Sequence, residues 1–281
     1  MKRAFLKGGL CLVFIILILY IFTRPGREGF DSYVMPKIIW AFWNDDTMPP
    51  LIEKITNYNK KNLIGWEYRI LHDSTIHKYI PSFPPGYESL SIPAHKADWI
   101  RLYLLKKYGG VWLDASLIVN DGAALDTLYQ ESISKKSQFT GFSNNEDPSD
   151  TIPKFIENWF IMAPLGSIII EKWFEEFTQA IAIGFDKYVD QVRKENIDIS
   201  RITSIPYHTA FVALQKVVQT TPNQPMILNK AIDSMFKIHH ECKWDADCVM
   251  RGILKDNGKT PYIKLTGNER RTSVDITSFF D

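Results

Sequence analysis

The sequence predicts an α/β domain, and three observations predict it. Residues 35–71 alternate an apolar β-rich run, a segment of helical period and a second alternating run. A long helical period over 94–108 ends at Gly109-Gly110, and a short apolar strand follows at once. No internal repeat or low-complexity tract interrupts residues 35–281, a length that suits one large domain or one domain carrying a helical insertion.

The chain opens differently. Residues 8–22 carry no charge and are rich in Leu and Ile, with Lys2, Arg3 and Lys7 ahead of them. Counted from Ala4, with Lys7 snorkelling to the interface, the segment approaches the about 20 residues that a spanning helix needs. No small-x-small cleavage pattern follows Phe22, which favours an uncleaved anchor over a cleaved signal peptide. Residues 1–23 are therefore expected to be a single-pass membrane anchor. Residues 24–34, with Pro, Gly and charges, are expected to be a stem. The leading basic residues lean towards a cytosolic N-terminus and a domain, residues 35–281, on the non-cytosolic side.

The elements follow in order. Residues 35–43, with Ile38, Ile39, Trp40 and Phe42, read as a buried first strand that Asn44-Asp45-Asp46 ends. Leu51, Ile55 and Tyr58 give residues 50–61 helical spacing, and residues 66–71 alternate as a second strand. Strand, helix, strand is the opening of a sheet with a crossover helix. Ser91 is expected to cap the next helix, with Pro93 in its first turn. Ala97, Ile100, Leu104 and Tyr108 keep the helical period, and Gly109-Gly110 stop it, because glycine tolerates the left-handed conformation. Val111-Trp112-Leu113 then form a short strand with Asp114 at its carboxyl end, where open α/β sheets bind ligands. Further on, residues 139–142 and 159–163 read as strands, 167–183 as an amphipathic helix, and 188–201 as a charged helix and connection. Residues 207–219 read as a helix, and 226–228 and 262–265 as short strands.

Charge narrows the partners. The net charge is +1, without a basic stripe, so nucleic acid is not expected, since phosphate backbones demand concentrated Lys and Arg. Of the three cysteines, Cys11 lies in the apolar leader. Cys242 and Cys248 are expected to be a disulfide or two free thiols; His239-His240 beside them also suggest zinc, although the spacing matches no usual finger.

The chemistry concentrates around the Gly-Gly turn. Asp98 and Arg101 stand at i and i+3, so both project from one helix face. Asp114, followed by the small Ala115 and the hydroxyl of Ser116, is suited to Mg²⁺ or Mn²⁺. Such hard cations take oxygen ligands and share them with substrate phosphates. Each residue also has an ordinary reading, an exposed helical ion pair for Asp98 and Arg101 and a turn for Asp114. Asp245-Ala246-Asp247 spells a literal Asp-x-Asp but lacks a preceding apolar strand or Gly-Gly, so Asp114 is preferred.

Taken together, Ala94, Asp98 and Arg101, then Leu105, Gly109, Gly110, Trp112, Leu113 and Asp114, form a recognisable pattern. It resembles the sugar-binding region of Asp-x-Asp glycosyltransferases. By pattern the nearest group is the capsular polysaccharide synthesis proteins; yeast outer-chain mannosyltransferases and clostridial toxin glucosyltransferases are more distant. Pro36-Lys37-Ile38-Ile39-Trp40 also resembles that group's opening strand. The resemblance implies a GT-A-type fold with a Rossmann-like central sheet and helices on both faces. It implies retaining transfer of a sugar from a UDP- or GDP-sugar to a glycan or other hydroxyl acceptor, with Mn²⁺ or Mg²⁺. Carried over by position, Asp114, Asp98 and Arg101 would be the catalytic set. Trp40 would stack on the base, Trp112 would line the donor pocket, and Asp98 and Arg101 would hold the sugar hydroxyls. Asp114 and Ser116 would hold the metal, Ser116 standing where the family has its second acid. Asn158 and Lys264 would contact the donor, Lys264 at its diphosphate. His208 would face the acceptor, and His72-Asp73 the ribose. Two rival readings remain, an inactive glycan- or nucleotide-sugar-binding membrane protein and a glycosidase. The latter requires a second, opposed carboxylate that the pattern does not supply.

Overall fold

Strand β1 (Ile38–Phe42) is buried along nearly its whole length, as its unbroken apolar run requires, and it pairs in parallel on both sides. Helix α1 (Pro50–Asn62) carries the chain to β2 (Glu67–Leu71) on one side of it. Helix α2 (Pro93–Tyr108) leads to β3 (Gly110–Leu113) on the other. The cap of α2 is Ile92, with no side-chain bond, rather than the expected Ser91. Pro93 at the first helical position has no N–H, so one of the donors a cap would serve is absent.

The computed structural model describes residues 33–144, 153 and 155–280. The expected anchor at 1–23, and the expected stem as far as residue 32, lie outside the described residues. Val34 is tied down, its carbonyl accepting from Leu165 N at 2.8 Å. Among the described residues, no helix is long and apolar enough to cross a membrane. Residues 34–281 form one compact unit.

After β3 come β4 (Leu117–Val119), α3 (Gly122–Ser134), β5 (Phe139–Ser143) and β6 (Ile156–Ala163). Helices α4 (Ile168–Ile183), α5 (Phe185–Lys194) and α6 (Thr209–Thr220) precede β7 (Met226–Lys230). Then α7 (Lys237–Glu241), α8 (Ala246–Asp256) and β8 (Tyr262–Lys264) close the fold. The main sheet has the order β2-β1-β3-β6-β5-β7. It is mixed where a Rossmann-type sheet would be parallel, because β6 runs antiparallel to both β3 and β5. That reversal sets Asp114, just past β3, against Trp159 of β6, whose carbonyl accepts from Asp114 N at 2.9 Å.

A second, smaller ribbon pairs β4 with β8 in antiparallel register, Leu117 opposite Lys264. Asn59 of α1 docks it: its amide donates to Leu117 O at 2.7 Å and accepts from Val119 N at 2.9 Å. A buried amide with both functions used satisfies two backbone groups that the ribbon's edge would otherwise leave unpaired. Helix α8 packs its buried Val249 and Ile253 into the same cluster as Ile118 and Ile263. The larger core, with Trp112, Ile161, Trp173 and Phe177, gathers α2, α4 and α6 against the main sheet.

The turn into β3 is tight. Gly109 and Gly110 have φ of 65° and 98°, and a Cβ on Gly110 would stand 2.6 Å from Ile38 O. Side chains rarely adopt this backbone, and a backbone oxygen cannot swing aside. Gly110→Ala is therefore expected to cost about 2–4 kcal/mol, read as a lower urea midpoint at unchanged slope. An unchanged midpoint would mean that β1 can move away from this turn.

Candidate active site

Asp114 leaves β3 with its carboxylate at the floor of a cleft of about 540 Å³. The Trp112 indole, two residues earlier and thus on the same face, donates to Asp114 Oδ1 at 2.9 Å. Arg101 of α2 approaches Oδ1 at 3.5 Å, and Lys264 approaches Oδ2 at 3.1 Å. Burial by itself would raise the Asp114 carboxyl, but Lys264, then Arg101 and the indole, hold it below its ordinary value. Burial also lowers the Lys264 ammonium, against the pull of Asp114, and the 3.1 Å contact between them is that of a charged pair.

One helical turn of α2 supplies the next layer. Arg101 pairs with Asp98 at 3.0 Å and lies over the Trp112 ring at 5.0 Å. Asn158 of β6 donates to Asp98 Oδ1 at 2.9 Å, and the Asn158 carbonyl accepts from Arg101. Asp98, Arg101 and Asn158 are all buried, so the pair is fixed by hydrogen bonds on both sides and is not the exposed helical ion pair of the ordinary reading. Burial pushes Asp98 up to about 6, against the pull of Arg101.

The ribbon brings in the rest. Lys264 Nζ donates to Ser116 Oγ at 2.6 Å and to Leu265 O at 3.1 Å, and Ser116 Oγ donates to Leu265 O at 3.0 Å. Of the residues expected at the site, Asp98, Arg101, Trp112, Asp114, Ser116, Asn158, His208 and Lys264 thus converge on one cleft.

Others do not. Trp40, expected to stack on a base, is 0% exposed and lies outside the cleft. Its indole donates to Gly109 O at 3.0 Å, and its ring is covered by Arg69, Tyr79 and Tyr108, which leaves no face for a ligand. His72 turns its Nδ1 to Asp45 O at 2.8 Å, bracing a loop, and neither it nor Asp73 lines the cleft. Asp245 caps α8 by accepting from Cys248 N at 2.8 Å, a structural use of the literal Asp-x-Asp. Cys242 and Cys248 form a disulfide, so neither offers a thiolate to zinc.

A divalent ion at Asp114 and Ser116 meets a specific obstacle. The two oxygens that would hold it are bridged by the Lys264 ammonium. Among the described residues no group of three or more His, Cys, Asp or Glu is placed to hold a metal ion. The arrangement present does not fit Mn²⁺ or Mg²⁺ with Lys264 in place.

Trp43, Arg270, Trp244 and Glu157 are among the lining residues that the sequence did not single out. Trp43 faces the cleft at the end of β1, with the Arg270 guanidinium 5.7 Å from its ring. Trp244 lines it too, 51% exposed, beside the disulfide. Glu157 is buried next to Asn158 and bonded by Asn144. It was legible only if β6 is begun at Ile156 rather than Trp159, which places a charge inside an apolar strand.

Burial pushes Glu157 up to about 7, against the pull of Trp159, Lys264 and Asn144. A carboxyl raised on folding binds its proton more tightly in the folded state, so it favours folding at low pH. That contribution is lost as pH rises from the unfolded value towards about 7. Glu157→Gln is expected to flatten the fall in unfolding free energy between about pH 5 and pH 7 that the parent shows. Parallel curves for the two proteins in urea titrations would remove Glu157 as the source.

The chain is similar to several known proteins. The chain is 27% identical over 164 residues to the O-glycosyltransferase braB of Annulohypoxylon truncatum, covering 50% of this chain and 37% of that protein. It is 30% identical over 123 residues to inositol phosphoceramide mannosyltransferase 3 of Schizosaccharomyces pombe, covering 41% and 33%. It thus spans well under half the length of the relatives it matches. Among solved structures, it is similar to a glycosyltransferase involved in glycosylation of the major capsid of PBCV-1, at 14% identity and a TM-score of 0.43 over 84% of this chain and 97% of that one. The galactosyltransferase LgtC, in complex with donor and acceptor sugar analogs, gives 10% and 0.43 over 86% and 93%. The model of one family matches residues 27–245, and on that span the chain belongs to the capsular polysaccharide synthesis protein family.

Proposed function

We propose that the cleft binds a nucleotide-diphosphate sugar, a UDP- or GDP-sugar, and transfers the sugar to a hydroxyl acceptor on a glycan or similar molecule, in a GT-A-type domain. The observation that carries this reading is the convergence of Asp98, Arg101, Asn158, Asp114 and Lys264, from α2, β6, the end of β3 and the ribbon, on one cleft. Fixed cations and hydrogen-bond donors aimed at one region suit a reaction whose charge develops on a departing diphosphate. The names of the two fungal relatives, an O-glycosyltransferase and a mannosyltransferase, support the reaction class.

Transfer is proposed to retain configuration. The bond from the anomeric carbon to the β-phosphate oxygen breaks, and its electron pair leaves with the diphosphate. The acceptor oxygen attacks the same face, forms the new bond at that carbon, and its proton passes to the departing phosphate oxygen. Asp98 and Asn158 hold sugar hydroxyls, and Arg101 orients both carboxylates. Lys264 faces the diphosphate. Tyr207 and His208 line the cleft, and His208 is assigned to the acceptor in this reading. The Cys242–Cys248 disulfide supports a domain on the non-cytosolic side of a membrane, anchored through residues 1–23, because such bonds persist in oxidising compartments.

Ser116, in place of a second acid, favours one competing reading, a binding protein without turnover. Donor hydrolysis by the full chain, screened across UDP- and GDP-sugars, separates the two. Turnover is expected, and Asp114→Asn is expected to lower it by about 10²–10³-fold. Nucleotide-sugar binding without turnover would instead select the binding protein, and a product of inverted anomer in nuclear magnetic resonance would exclude retention.

A further inference from the structure

Lys264 occupies the position of an oxygen-ligated cation. Its Nζ stands 2.6 Å from Ser116 Oγ, 3.1 Å from Asp114 Oδ2 and 3.1 Å from Leu265 O. Carboxylate, hydroxyl and carbonyl are the oxygen set that a hard divalent ion takes. An ammonium has three N–H donors, and these three oxygens match them in number. The side chain is 10% exposed, and β8 sets its backbone opposite Leu117. It nevertheless lines the cleft.

We propose that Lys264 is the built-in cation of this site. Its ammonium, held by Asp114 and Ser116, does for the diphosphate what a divalent ion would do, so that donor binding and transfer need no metal. The proposal rests on the transfer reading above. As the anomeric carbon–oxygen bond breaks and its electron pair passes to the β-phosphate, the ammonium stabilises the added charge. The acceptor proton goes to that same phosphate oxygen, so Lys264 neither gives nor takes a proton.

The identity of residue 116 follows from the same arithmetic of charge. With serine there, Asp114 and Lys264 make a neutral pair, and Arg101 is matched by Asp98. Arg270, on the cleft lining, then adds positive charge toward a dianionic ligand, and Glu157, a lining carboxyl that burial raises to about 7, offsets it only in part. A carboxylate at position 116 would cancel that positive charge and leave no net attraction for the diphosphate, the lack that a divalent ion makes good. A metal lodged at Asp114 would also have to displace the ammonium or tolerate it within contact range.

The test uses the full chain in detergent micelles and two readouts. Binding of UDP and GDP by calorimetry, together with donor hydrolysis, is compared in chelator and in Mn²⁺. Separately, Mn²⁺ uptake is followed by electron paramagnetic resonance, with and without nucleotide. The expected results are equal nucleotide affinity and turnover in chelator and in Mn²⁺, and no stoichiometric Mn²⁺ uptake by the parent protein. Lys264→Met, which keeps the apolar stem and removes the charge, is expected to lose about 10²-fold in turnover while its unfolding midpoint confirms a folded domain. Loss of nucleotide binding or turnover in chelator overturns the proposal. So does uptake of one Mn²⁺ that Asp114→Asn releases, or unchanged turnover in folded Lys264→Met. If no nucleotide binds under any condition, the transferase reading fails, and the Mn²⁺ titration still decides whether the lysine holds the cation position.

Discussion

The site depends on one carboxylate whose charge has to be matched. Asp114 stands at the end of a strand buried on both faces, with limited access to water, so its charge needs partners supplied by the protein. Three arrive from separate directions: the Trp112 indole from its own strand, Arg101 from α2 and Lys264 from the ribbon. Buried ion pairs add little net stability compared with apolar packing, and the ones here are better understood as fixing geometry. Each partner is itself fixed by a second contact, Arg101 by Asp98 and Asn158, and Lys264 by Ser116 and Leu265. Moving the ribbon would take Lys264 from Asp114 and leave Arg101, at 3.5 Å, as the carboxylate's remaining ion-pair partner.

That dependence explains which parts were legible in the sequence. The unit from α2 through Gly109-Gly110 to Asp114 is local, and its signals are strong: a helical period, a stop that only glycine permits, and an apolar strand. The strand-helix-strand opening was readable for the same reason. The partners reached through space were not. Lys264 is 148 residues from Ser116, and only a resemblance pointed to it. The ribbon strand Leu117–Val119, three residues long, is too short to show a period at all. The antiparallel placement of β6 is set by pairing and leaves no mark in composition, yet it is what brings Asn158 beside Asp98.

Trp40 shows how a resemblance can place the right residue in the wrong role. A tryptophan at the opening strand looks available for a base when only the sequence is in view. In the fold it lies on a strand with neighbours on both sides, and its face is taken by Arg69, Tyr79 and Tyr108. Three residues later Trp43, at the strand's end, reaches the cleft. Burial at the middle of a central strand and exposure at its carboxyl end are consequences of sheet geometry. Position along the strand, more than residue type, decides which aromatic can meet a ligand.

The second core gives this arrangement its rigidity. Ile118 and Ile263 of the ribbon pack with Val249 and Ile253 of α8, and Asn59 of α1 pins the ribbon's free edge through two backbone bonds. Helix α8 in turn is capped by Asp245, directly after Trp244, which takes a left-handed φ of 64° inside the disulfide loop. Lys264 and Trp244, both facing the cleft, are therefore carried by one packed unit, while Asp98, Arg101 and Asp114 are carried by the main sheet and its helix. The cleft is the seam between these two bodies of apolar packing. Across that seam Lys264 meets Asp114, and Tyr262 of the ribbon meets Phe142 and Phe160 of the main sheet, so charge and ring packing together hold the two halves in register.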